Sequence, residues 1–138
     1  MVQKLKLKTK MVKQLILVAI GGGLGSVLRY LTSLGIAKCF PVIIFPLGTF
    51  VVNVIGCFIM GLLVGLSTRF AILDNELRFL LIVGFCGGYT TFSAFSLENL
   101  KLFEAGNYWA LAFYIAASIV LGFIALWSGY LLSKIIVQ

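Results

Sequence analysis

The sequence predicts an all-α membrane protein with four transmembrane helices, the third of them broken mid-membrane. Three observations carry this. Of 138 residues, 62% are hydrophobic and 11% are charged, which is the composition of a bilayer protein and not of a soluble core. A spanning helix needs about 20 apolar residues, and four such runs fit, Lys13–Ala37, Phe45–Thr68, Leu77–Leu102 and Tyr108–Ile136. Finally, the third run is interrupted by Gly87-Gly88-Tyr89-Thr90-Thr91, and glycine and threonine pairs are poor helix formers.

The first run follows a stretch rich in lysine: Lys4, Lys6, Lys8, Lys10 and Lys13. Lysines beside a first span read as a cytoplasmic anchor. They also resemble the start of a signal peptide, but the apolar run is too long and no small-residue cleavage site follows. The expectation is a basic tail over residues 1–13 leading into a retained first helix. Residues 1–138 then form a single four-helix transmembrane domain. The net charge of +7 is membrane-anchoring on this reading, and no nucleic-acid partner is expected. Gly21, Gly22, Gly23, Gly25 and Ser26 in the first run, and Gly61 with Gly65 in the second, are small residues that let helices approach closely in lipid.

The connections are short. Gly35 to Pro46 makes the first, Thr68 to Glu76 the second and Glu98 to Asn107 the third. That places all four carboxylates, Asp74, Glu76, Glu98 and Glu104, in or near loops, with none mid-span. Cys39, Cys57 and Cys86 are scattered and histidine is absent, so neither a zinc site nor a nucleophile–base pair is expected, and no enzyme. Each cysteine reads as a small packing residue.

Several polar residues within the spans need a reason. Asn53 lies in Phe50-Val51-Val52-Asn53-Val54-Ile55, and a carboxamide in hydrocarbon costs several kcal/mol unless hydrogen-bonded. It is either helix–helix glue or an NH₂ donor aimed into a pore. Thr49 shares its face, one turn back. Phe92 and Phe95 follow the break at three-residue spacing. They are either packing residues or rings whose positive edges line an anion's path without a full charge to trap it. Tyr114, Ser118 and Gly122 recur every four residues on the last run, as a polar stripe followed by a gap. Arg29, late in the first run, either snorkels or draws anions to a pore mouth. Broken backbone inside a bilayer is tolerated only within protein or along a wet path, so the Gly87–Thr91 region is the first candidate for the working part.

Together these residues resemble the Fluc (CrcB) family of small fluoride channels. The matching pieces run from Gly21 to Tyr30, from Gly48 to Phe58 and from Gly84 to Ser96, the last being the most specific. The resemblance implies an antiparallel dimer of four-helix subunits in the cell membrane, with two pores passing fluoride out to relieve its toxicity. It implies Asn53, Phe92, Phe95, Thr49, Tyr114 and Ser118 as pore residues and Arg29 at a vestibule. It also implies a structural Na⁺ at the dimer interface, held by the backbone carbonyls of Gly87 and Thr90. Some family members carry a further hydroxyl where this chain has Gly122. Fluoride is small and tightly hydrated, so its path needs many strong donors to replace water. The alternative is a small multidrug-type proton-coupled exporter, which needs a mid-membrane carboxylate that the first run lacks.

The second subunit is either another copy of this chain or a sister chain. Eight cations, Lys4, Lys6, Lys8, Lys10, Lys13, Arg69, Arg78 and Lys134, lie on the N-terminal side. Three, Arg29, Lys38 and Lys101, lie on the other. Setting aside the five in the tail leaves three against three, which favours a dual-topology homodimer.

Overall fold

A computed structural model describes residues 2–41, 44–69 and 75–136. Helix α1 runs Val2–Cys39 and α2 Leu47–Arg69. The third segment is composite: α3 (Asn75–Leu77), a π-wound stretch Arg78–Cys86, α4 (Gly87–Tyr89) and α5 (Phe92–Glu104). Helix α6 runs Tyr108–Ile136. Among the described residues four segments are long and apolar enough to cross a membrane, Leu7–Cys39, Leu47–Thr68, Arg78–Glu104 and Tyr108–Ile136. The chain is a multi-pass membrane protein. Its large exposed hydrophobics, such as Leu15, Val27, Phe113 and Phe123, face outward as lipid-facing side chains do.

The four expected spans are present, with three differences. The lysine-rich stretch is no separate tail, because α1 is continuous from Val2. Lysine is a good helix former and nothing between residues 2 and 13 breaks the ladder. At 1.5 Å per residue the 38 residues of α1 span about 57 Å, against about 30 Å of hydrocarbon. One of those lysines is fixed, since Lys13 Nζ pairs with Glu76 Oε1 at 2.5 Å. That contact ties α1 to α3 across the second connection; Asp74, expected in that connection, lies outside the described residues.

The break is also narrower than Gly87–Thr91. Gly87 and Gly88 are helical, and only Thr90 (ψ 157°) and Thr91 (φ −149°, ψ 121°) are extended. Gly88 serves approach instead of bending. A Cβ on Gly88 would collide with the carbonyl oxygen of Gly22 in α1. Helix α1 therefore packs its glycine face against the π-wound stretch and α4.

The third difference is Glu98, which belongs to α5 and not to a connection. Helix α5 ends only at Glu104, where a compact turn takes over. Gly106 adopts φ +71°, its N–H reaches the Phe103 carbonyl, and the Asn107 N–H reaches the Leu102 carbonyl. This paired closure is the Schellman ending, which needs a residue tolerant of the left-handed region. The third connection is thus Ala105 to Asn107, and a carboxylate stands within the third membrane-crossing segment.

The most extensive helix contact is between α2 and α6. A Cβ on Gly61 would strike the Leu126 carbonyl oxygen, and one on Gly129 the Phe58 carbonyl oxygen, so glycine on each helix admits the backbone of the other. Phe45 anchors the first connection onto this pair, its ring lying 5.3 Å from Phe50 and 5.1 Å from Tyr114. Helix α5 touches α6 and α2 only lightly.

Candidate anion pathway

The site is assembled by α2 and α6 on one side and by the break on the other. Thr90 closes the upstream helix, with both its N–H (3.0 Å) and its hydroxyl (2.9 Å) donating to the Cys86 carbonyl. Thr91 opens the downstream helix as its N-cap, its Oγ1 accepting from the Ala94 N–H at 3.2 Å. Such a cap satisfies a donor that the first helical turn leaves without a partner.

Asn53 reaches the break from α2. Its Oδ1 accepts from the Thr91 N–H at 2.8 Å, and its Nδ2 donates to the Thr91 carbonyl at 3.1 Å. The carboxamide therefore takes the place of the missing helical ladder at Thr91. Both sequence readings of Asn53 meet in this geometry. One N–H is spent as glue, and the amide carries a second donor on a side chain that lines a cavity.

That cavity, about 400 Å³, is lined by Asn53, Thr90, Thr91, Phe92, Phe95 and Ser118 among others. Four residues singled out in the sequence, Asn53, Phe92, Phe95 and Ser118, are thus brought together. The two phenylalanine rings sit 5.8 Å apart at 37°. Phe92 is 79% exposed in the single chain. Ser118 Oγ is shielded and has no hydrogen-bond partner among the described residues. A shielded hydroxyl without a partner costs about 1–3 kcal/mol, so this position waits for an acceptor.

Thr49 and Tyr114 are placed differently. Both donate to one carboxylate: Thr49 Oγ1 to Glu98 Oε1 at 2.6 Å, and Tyr114 OH to Glu98 Oε2 at 2.7 Å. Thr49 and Glu98 line a second cavity, of about 320 Å³, capped by Phe40, Pro41, Phe45 and Pro46. Tyr114 is fully buried and its ring lies 5.0 Å from that of Phe95. It therefore stands between the two cavities, its ring against Phe95 of one and its hydroxyl on Glu98 of the other. Glu98 is the residue that sequence reasoning missed. The available signal was its spacing, three residues after Phe95 and so on the same face.

Arg29 is half-buried on α1, outside both cavities and without an ion pair among the described residues. Gly87 and Thr90 sit on either side of the α4 terminus. The Thr91 N–H that would have closed onto the Gly87 carbonyl goes to Asn53, and the Ala94 N–H that would have closed onto the Thr90 carbonyl goes to Thr91 Oγ1.

A crossing helix segment whose backbone opens onto a donor-lined cavity is the arrangement of a small membrane channel or carrier. Similarity to known proteins narrows it. Residues 16–130 match the family described as CrcB-like protein, Camphor Resistance (CrcB). The chain is 52% identical over 124 residues to the "Fluoride-specific ion channel FluC" of Azobacteroides pseudotrichonymphae genomovar. CFP2, covering 90% of this chain and 98% of that one. It is 46% identical over 122 residues to the protein of the same name from Flavobacterium psychrophilum, covering 88% and 98%. A third, from Phocaeicola vulgatus, is 43% identical over 122 residues, covering 88% and 99%. The chain belongs to the CrcB family.

Proposed function

We propose that the chain is a subunit of a fluoride channel, passing F⁻ passively across the cell membrane and so relieving fluoride toxicity. The carrying observation is the cavity at the break, where an amide donor, an unpartnered hydroxyl and two phenylalanine rings meet without a cation among the lining residues. Donors replace the water that a small anion gives up, while ring edges attract it without holding it. The relatives named as fluoride-specific channels support the choice of ion. In this reading Asn53, Phe92, Phe95 and Ser118 contact the ion. Tyr114 and Thr49 lead on toward the second cavity, their hydroxyls held by Glu98, and Arg29 draws anions toward a vestibule. The proton-coupled exporter is disfavoured because both Glu98 oxygens already accept hydrogen bonds and α1 carries no carboxylate.

The working unit is an antiparallel homodimer with two pores. The partner is placed at Phe92, which is exposed beside a backbone break within a membrane segment. The carbonyls of Gly87 and Thr90 fit a structural Na⁺ at the dimer interface, since both have lost their usual helical donors to Asn53 and Thr91. Hard oxygen donors suit such an ion, which would supply fixed positive charge near the anion path.

Purified protein in liposomes tests the function. Fluoride should leave rapidly down its gradient, read by a fluoride electrode, with no proton gradient required. Chloride release as fast as fluoride release would sink the proposal. Labelling a single cysteine at residue 2 from each side of intact cells tests the assembly, with labelling from both sides expected. Labelling from one side, with activity requiring a second gene product, would point to a sister chain.

A further inference from the structure

The cavity at the break has a wall with no role so far. On α2 it is formed by Asn53, Gly56, Cys57 and Met60. Asn53 and Cys57 are four residues apart and share a face. On α6 the cavity is lined by Ser118, Ile119 and Leu126, and one turn beyond Ser118 stands buried Gly122. A Cβ built on Gly122 would meet Cys57 Sγ at 3.7 Å. The stripe Tyr114, Ser118, Gly122 thus lacks a side chain at its third place, and the sulfur of α2 lies at van der Waals distance from where that side chain would begin.

The donors around this gap are unspent. Ser118 Oγ is shielded and unpartnered, and the Cys57 thiol has no hydrogen-bond acceptor among the described residues. A thiol that only filled space would sit as well among apolar neighbours. This one lines the same cavity as an unsatisfied hydroxyl and the free N–H of Asn53. A thiol is a weak donor, so it offers an anion a station that binds without trapping.

We propose that Cys57 is a donor of the anion pathway, its S–H standing in from α2 for the side chain that Gly122 lacks and forming one binding station with Ser118. The assignment rests on the fluoride-channel reading. Wild-type protein in liposomes keeps the two apart, because absence of fluoride release there removes the channel reading itself. With wild type active, Cys57→Val and Cys57→Ser are compared, since they differ mainly in the donor. Serine should release fluoride about fivefold faster than valine, the ratio expected for one hydrogen bond; equal rates would overturn the proposal. A second measurement uses the native residue in a Cys39→Ser background, with Cys86 buried. Methyl methanethiosulfonate should label Cys57 in the detergent-solubilised dimer, read by mass, and added fluoride should slow that labelling. A labelling rate indifferent to fluoride would overturn the proposal even if the valine variant failed to assemble.

Discussion

The α2–α6 pair and the third membrane segment are all apolar enough to cross a bilayer and solve opposite problems. In α2 and α6 every turn closes on itself, and glycines such as Gly61 and Gly129 spend their missing side chains on contact between backbones. The third segment winds as a π-helix from Arg78 to Cys86, recovers one α-turn, and then opens at Thr90 and Thr91. What the pair provides is a rigid wall. What the broken segment provides is backbone polarity inside the membrane, available because Asn53 on the wall takes up part of it. Close approach occurs in both, at Gly61 and Gly129 in the pair and at Gly84 and Gly88 against α1, but only the third segment opens its backbone, so substitutions at close contacts and at the opening should fail in different ways.

The sharpest separation is Asn53→Asp. It keeps the shape, removes the donor to the Thr91 carbonyl and puts a negative charge in an anion's path. Like-charge juxtaposition costs several kcal/mol, so fluoride flux in liposomes should fall by about a thousandfold. Normal flux would mean that Asn53 serves only as glue. Gly61→Val is the opposite case. Its Cβ would drive into the Leu126 carbonyl, and overpacking of this kind costs about 1–3 kcal/mol or more. Expression and the thermal transition should fall, while flux per assembled dimer holds; a flux loss without destabilisation would blur the division.

Phe92→Ile and Phe95→Ile remove the ring edges and retain most of the volume. Each should lower flux about tenfold, corresponding to one ring interaction of about 1.4 kcal/mol, with assembly measured by size-exclusion chromatography nearly unchanged. Loss of dimer at normal flux per dimer would make them packing residues. The smallest effect belongs to Lys13→Ala. The pair with Glu76 is 58% and 47% exposed, and exposed pairs contribute about 0–1 kcal/mol. Flux should be unchanged and the thermal transition within a few degrees of wild type.

The four spans were legible because length and apolarity decide what crosses a bilayer, and Tyr108–Ile136 even has the expected limits. Of the residues that share the first cavity, Asn53 and Ser118 stood out as polar groups in hydrocarbon, and Phe92 and Phe95 by their spacing after the break. Three things were not legible. Gly88 looked like a helix breaker because its reason for being glycine, Gly22, lies on another helix. Glu98 looked like a loop residue because its partners Thr49 and Tyr114 are 49 and 16 residues away, and no local pattern announces a carboxylate held from two sides. The helical continuation of α1 through its lysines was hidden by reading charge as the end of structure, when lysine leaves helix geometry intact.

Thr91 has one further consequence. Its N–H and carbonyl are both taken by Asn53, and its hydroxyl accepts from Ala94 and shares a hydrogen with Ser93 at 3.2 Å. Every polar group of the residue at the opening therefore has a partner: two bonds fasten it to α2 and two hold it to the first turn of α5. The start of α5 is in this way riveted to α2, and the opening is braced by the same wall that bounds the cavity.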